Sequence, residues 1–201
     1  MKLPLLLALM LPLPAAAGQL SDLLMAPGLF EDAGDGPLLA YAEARSAPEV
    51  AGLEPLDDGR LLLAMAEGPD GRKLELAQDV DGTERPVSSF SAGTANPVLL
   101  YFLEATVRDM SAATGGSPFY IRNRMREALA AADLGPEADP REVVLHPFEA
   151  DRNRARMGAF GDLALRLRFD ADEPARLLEL SADTAGDAGG YHHRLTLTEG
   201  D

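Results

Sequence analysis

Residues 96–135 read NPVLLYFLEATVRDMSAATGGSPFYIRNRMREALAAADLG, and this stretch decides the fold. Asn96 followed by Pro97 is a helix start. The amide side chain can accept from free N–H groups of the first turn, and proline sits where no N–H is needed. Val98, Leu99, Phe102, Leu103, Val107 and Met110 then recur at helical spacing until Gly115-Gly116 stops the run. Ser117-Pro118 opens a second helix in the same way, with Phe119, Ile121, Met125 and Leu129 as its expected apolar residues among Arg122, Arg124 and Arg126, ending near Gly135. So short a link predicts a helical hairpin or corner.

Upstream the punctuation is different. Asp-Gly occurs at Asp35-Gly36, Asp58-Gly59, Asp70-Gly71 and Asp81-Gly82. Glycine tolerates positive φ, so the pair favours tight turns between antiparallel strands. Between the turns, Pro37–Ala47, Arg60–Glu67 and Arg72–Val80 are expected strands, with Pro86–Ser91 completing a meander. Leu61-Leu62-Leu63 is apolar on both faces, which places that strand inside the sheet. Ahead of them, Leu20, Leu23 and Leu24 allow one short amphipathic turn.

Downstream, strands return at Glu142–Phe148, Phe160–Phe169, Ala175–Ala182 and Tyr191–Thr198. The second alternates cleanly, Leu163, Leu165, Leu167 and Phe169 against Asp162, Arg166 and Arg168. Strands in runs predict an α+β domain: a curved antiparallel sheet of about eight strands packed around a central helical pair inserted between two runs of strands. No repeat and no linker interrupts it, so residues 18–201 are expected to form a single soluble domain. The loops at Leu134–Pro140 and Thr184–Gly190 read as loops, not boundaries.

Residues 1–17 read as a cleavable secretory signal. Lys2 gives the positive start, Leu3 to Leu13 the apolar run, and Ala15-Ala16-Ala17 the small-residue site before Gly18. The run is too short to span a bilayer, which takes about 20 residues. No cysteine follows the site and no later segment is long and apolar enough to cross a membrane, so neither a lipid anchor nor a transmembrane anchor is expected. The expected destination is the bacterial periplasm, with secretion as the alternative. Lys73 is the only lysine beyond Lys2, an arginine bias expected of a GC-rich bacterial genome.

Composition then excludes several chemistries. Thirty-three Asp and Glu against 18 Lys and Arg give a net charge of −15, which argues against nucleic acid as a partner. With no cysteine there is no disulfide, no thiol nucleophile and no thiolate metal site. His192 and His193 are adjacent and would face opposite sides of a strand, and His146 has no spaced partner. Serine offers no nucleophile elbow. The carboxylates around Gly82 lack the order of a calcium loop. No catalytic residue, metal or cofactor is therefore assigned.

One pattern stands out. R-N-R-x-R occurs twice, as Arg122, Asn123, Arg124, Arg126 and as Arg152, Asn153, Arg154, Arg156. On a helix Arg122 and Arg126 share a face and Arg124 turns away. Were 151–157 extended, Arg152, Arg154 and Arg156 would share one side. Guanidinium suits carboxylate and phosphate, so these six arginines, with Tyr120 beside Arg124, are the candidate ligand-binding residues. The competing reading pairs them internally with the surplus of Asp and Glu.

In architecture alone the pattern resembles the periplasmic lipoprotein-carrier half-barrels, in which a curved sheet wraps helices and an apolar cavity. The expected function is an exported, non-enzymatic binding, carrier or adaptor module for an amphipathic small molecule or another envelope protein. The sheet's concave face with Leu99, Phe102 and Leu103 would line the site, and Arg122, Arg124 and Arg126 would hold an anionic head group. The alternatives are a hydrolase acting on an envelope polymer and a purely structural or interaction protein.

Overall fold

The computed structural model describes residues 19–47, 53, 55–69, 71–134, 140–170, 172–185 and 190–200. The signal segment with its cleavage point before Gly18, Asp70 of the Asp70-Gly71 turn, and the loop positions 135–139 and 186–189 lie outside the described residues. A short helix α1 (Gln19–Leu24) leads into a meander of β1 (Gly36–Ser46), β2 (Leu56–Gly68), β3 (Gly71–Val80) and β4 (Thr83–Ser91). Helices α2 (Pro97–Thr114) and α3 (Pro118–Ala131) follow, then β5 (Arg141–Leu145), β6 (Ala164–Phe169), β7 (Leu177–Asp183) and β8 (His192–Gly200). All eight strands form one curved antiparallel sheet in the order β4-β3-β2-β1-β8-β7-β6-β5. The first strand of one meander thus pairs with the last strand of the other at the sheet's centre.

Turn chemistry sets the register of the β3–β4 hairpin. Val80 lies opposite Thr83, and Asp81 and Gly82 between them have φ of 53° and 73°. Two consecutive positive φ angles are what a two-residue hairpin loop needs. Asp58-Gly59 behaves otherwise than expected: it lies within β2, and the connection from β1 falls earlier. Gly59 is buried opposite Glu43, and a Cβ there would meet Leu56 Cδ2 at 2.7 Å. That glycine serves close packing and not a turn. The β1–β2 register shifts between Pro37 and Leu39 and between Glu43 and Arg45, so the ladder is locally interrupted at both points.

Asn96 caps α2, its Oδ1 accepting from Val98 N at 3.1 Å and Leu99 N at 3.3 Å. Its Nδ2 donates to the carbonyl of Ala175, tying the cap to the approach to β7. Gly115 closes the helix at φ 66°, in the left-handed conformation. The inner sheet face supplies Leu61, Leu63, Leu74, Leu76, Leu165, Leu167 and Phe169, all fully or almost fully buried, as are Leu99 and Phe102 of α2. α3 packs on α2 and α1 through Ile121, Met125 and Leu129. Phe119, expected in that core, is 69% exposed. It lies two residues from Ile121, about 200° around the helix, so it projects away from the apolar stripe. Among the described residues no helix is long and apolar enough to cross a membrane.

Candidate ligand-binding site

The space between sheet and α2 is filled. Leu99 and Phe102 have no exposure, and Tyr41, Phe148 and Phe169 are likewise wholly enclosed. The expected apolar cavity on the concave face is therefore occupied by large side chains. Leu103, on the next position of α2, turns the other way into an open groove of about 670 Å³ between α1, α2 and α3. Met25, Leu100, Leu103, Val107, Met125 and Leu129 make it apolar, and Glu104, Arg122, Asn123, Arg126 and Glu127 surround it with charge and amide groups. Its size is that of a small-molecule site, roughly 300–1,000 Å³.

Helical spacing puts Arg122 and Arg126 together at this groove, one turn apart on α3. Arg122 forms a bidentate pair with Glu104 of α2, Nη2 lying 2.7 Å from Oε2. This hydrogen bond, with the guanidinium charge, holds the Glu104 carboxyl below its ordinary value despite some burial. Glu127 is taken by Arg124. Arg126 has no hydrogen-bond or ion-pair partner among the described residues. It is the one uncompensated charge of the groove among them.

The remaining candidates assemble elsewhere. Arg124 lies over the Tyr120 ring at 5.2 Å and places Nε 2.9 Å from Asp151 Oδ2. The Tyr120 hydroxyl donates to the same carboxylate at 2.7 Å, and Asn153 gives its backbone N–H at 2.7 Å and its amide to Tyr120 Oη at 3.1 Å. Burial alone would raise the Asp151 carboxyl. The Asn153 amide, the Tyr120 hydroxyl and the charges of Arg124 and Arg152 outweigh it and hold it low. The second arginine string is not extended: Arg154–Arg156 is one turn of 3-10 helix, so its arginines diverge. Arg154 pairs with Asp162, while Arg152 and Arg156 are exposed and unpaired among the described residues. The two strings are joined through Asp151, which carried no signal as a lone acidic residue in an acidic chain.

A second polar centre was invisible in sequence because its members are scattered over four elements. Glu43, on the inner face of β1, receives Gln78 Nε2 at 2.7 Å and Tyr101 Oη at 2.8 Å, and lies 3.1 Å from His193 Nε2. Glu43 and His193 side chains have 0% exposure. Burial pushes the Glu43 carboxyl up, but these hydrogen bonds, His193 foremost, reverse the balance and leave it below its ordinary value. His193 stacks on Phe102 with centroids 5.1 Å apart, and its Nδ1 has no partner among the described residues. Farther along α2, Asp109 accepts from Tyr191 Oη at 2.9 Å and lies 3.5 Å from Arg45. As expected, His192 and His193 face opposite sides; His192 is exposed and bonds Asp183.

On the outer side of the sheet a broader depression of about 1080 Å³ runs over Leu38, Ala40, Leu62, Ala64 and Leu178, with Arg60, Glu84, Arg168 and Glu199 at its margins. Among the described residues no group of three His, Asp or Glu is disposed to hold a metal ion.

The fold and groove define an α+β domain with a small-molecule-sized surface site. Comparison of the chain with protein-family models, with curated proteins and with solved structures finds no match.

Proposed function

We propose that this chain is an exported, non-enzymatic module of the bacterial periplasm that binds an anionic amphiphile in the groove between α1, α2 and α3. The observation that carries this reading is the pairing of an apolar floor with a single uncompensated guanidinium. Leu103, Val107, Met125 and Leu129 would take an alkyl chain. Arg126 would take the head group, while Arg122 stays with Glu104. Burying alkyl surface is favourable by about 25 cal/mol per Å², and a guanidinium suits carboxylate, sulfonate or phosphate. The leader pattern of residues 1–17 supports export. Glu43 and His193, the converging carboxylate and imidazole of the interior, have no exposed surface, which favours binding over hydrolysis. An adaptor role is favoured by one separate observation, the outer depression over Leu38, Ala40, Leu62 and Ala64.

The test is calorimetric titration of the chain lacking residues 1–17 with decanesulfonate, far below its micelle-forming concentration. Decyltrimethylammonium serves as the charge-reversed control. One site per chain is expected, weakened at least tenfold by Arg126→Glu and by Val107→Glu, with the cationic amphiphile bound far more weakly. Equal binding of both amphiphiles, or none of the sulfonate, overturns the reading.

A further inference from the structure

The two R-N-R-x-R strings use their asparagines differently. Asn153 is committed inside the protein, its backbone N–H on Asp151 and its amide on the Tyr120 hydroxyl. Asn123 lines the groove, half-buried, and its side chain has no hydrogen-bond partner among the described residues. It stands in the interior of α3, where asparagine is less favourable than alanine and here gains nothing from bonding to nearby backbone. We infer that Asn123 and Arg126 together select the head group: a carboxylate with an amide N–H one carbon away, so that the ligand is an N-acyl amino acid. The inference rests on the groove reading above for the alkyl chain and for Arg126, and on Asn123 alone for the amide.

Donor and acceptor character carries it. On α3, Arg122 is taken by Glu104 and Glu127 by Arg124, which leaves Asn123 and Arg126 as that helix's free polar side chains at the groove among the described residues. They are three positions apart on α3, so they are surface neighbours with Cβ atoms about 5–6 Å from each other. One head group can touch both. A guanidinium only donates, while a carboxamide donates through Nδ2 and accepts through Oδ1. A sulfonate or a simple fatty carboxylate offers acceptors alone. It satisfies Arg126 and Asn123 Nδ2 and leaves Oδ1 facing anionic oxygen. An N-acyl amino acid uses all three. Its carboxylate accepts from the Arg126 guanidinium and from Nδ2, and its amide N–H donates to Oδ1. One carbon separates that N–H from the carboxylate, a span that two side chains one turn apart can cover. The acyl chain then continues onto Leu100, Leu103 and Leu129.

Three anions with matched alkyl chains separate the contributions: N-decanoylglycine, its ester analogue decanoyloxyacetate with oxygen in place of the N–H, and decanesulfonate. Each is titrated calorimetrically at neutral pH, below its micelle-forming concentration, into the chain lacking residues 1–17. Wild type should bind the amide at least about fivefold more tightly than the ester, the worth of one ordinary hydrogen bond. Asn123→Ala, a favourable substitution inside a helix, should abolish that preference and weaken decanesulfonate far less than it weakens the amide. Arg126→Glu should weaken all three. Decanesulfonate binding by Asn123→Ala also shows that the variant keeps its fold and its groove. Equal binding of amide and ester by wild type overturns the inference, while sulfonate binding in the same series leaves the groove standing. A preference for the amide that survives Asn123→Ala overturns the role of Asn123. Binding of none of the three overturns the groove reading and this inference together.

Discussion

Tyr120 and Asp151 are bound to each other at both carboxylate oxygens, the phenolic hydroxyl lying 2.9 Å from Oδ1 and 2.7 Å from Oδ2. The Asp151 side chain is 1% exposed, so the hydroxyl replaces water that the carboxylate has lost. The contact fixes α3 against the turns that lead to β6. Tyr120→Phe keeps the ring under Arg124 and removes the hydroxyl that donates to Asp151 and accepts from the Asn153 amide. A hydrogen bond to a charged group contributes about 1.5–3 kcal/mol, and urea denaturation of the variant should show a loss in that range with an unchanged m-value. A loss under about 0.5 kcal/mol would mean that Arg124 and the Asn153 amide suffice.

Phe102 and Phe119 make a matched contrast on the two helices. Phe102 is wholly buried against His193 and the sheet, and Phe119 is 69% exposed. Phe102→Ala should cost about 3–5 kcal/mol, the lost transfer energy plus an unfilled cavity. Phe119→Ser should stay within about 0.5 kcal/mol, as surface changes do. Paired denaturation curves decide it. Similar losses at the two positions would show that α2 is not the helix seated on the sheet.

Acid should unfold the protein in a definite window. Glu43, Glu104 and Asp151 are all held below their ordinary values, Glu43 and Asp151 against burial and Glu104 by Arg122 foremost. A depressed carboxyl stabilises the fold fully above its unfolded value, which is 4.5 for glutamate. That stabilisation is lost as the pH falls through the lower folded value. Melting temperature should therefore drop steeply below about pH 4.5, and Glu43→Gln should show a lower plateau with a shallower acid limb. Parallel acid limbs in the two proteins would remove Glu43 as a contributor.

Export makes a prediction of its own. Intact-mass analysis of the protein from its native host should find an N-terminus near Gly18 in the extracytoplasmic fraction. Finding residues 1–17 still attached to cytoplasmic protein would sink the localisation.

Much of the fold was readable because it is written in local rules. The Asn96-Pro97 start, the Gly115 stop and the Asp81-Gly82 hairpin each act through their own backbone and nearest neighbours. Asp58-Gly59 misled because the same dipeptide can serve a turn or a close approach, and only the folded strand shows the Leu56 side chain lying against Gly59. Phe119 misled because two residues of offset on a helix reverse the face. The site was legible in part: spacing put Arg122 and Arg126 on one face, and the structure sets both at the groove. It could not show that Glu104 takes one and leaves the other. The buried centre was wholly unreadable, since Glu43 and His193 are 150 positions apart and meet only through the pairing of β1 with β8.

That pairing has a consequence for the order of assembly. The middle of the sheet is made from its first and last strands in chain order, so neither four-stranded half has its inner edge covered until β8 has arrived. Closing so distant a contact is entropically slow. A nascent chain missing its last dozen residues would have β1 with one flank bare and no His193 under α2. The polypeptide should thus stay loosely organised until β8 has been made; on the export reading proposed above, that delay would keep the chain threadable.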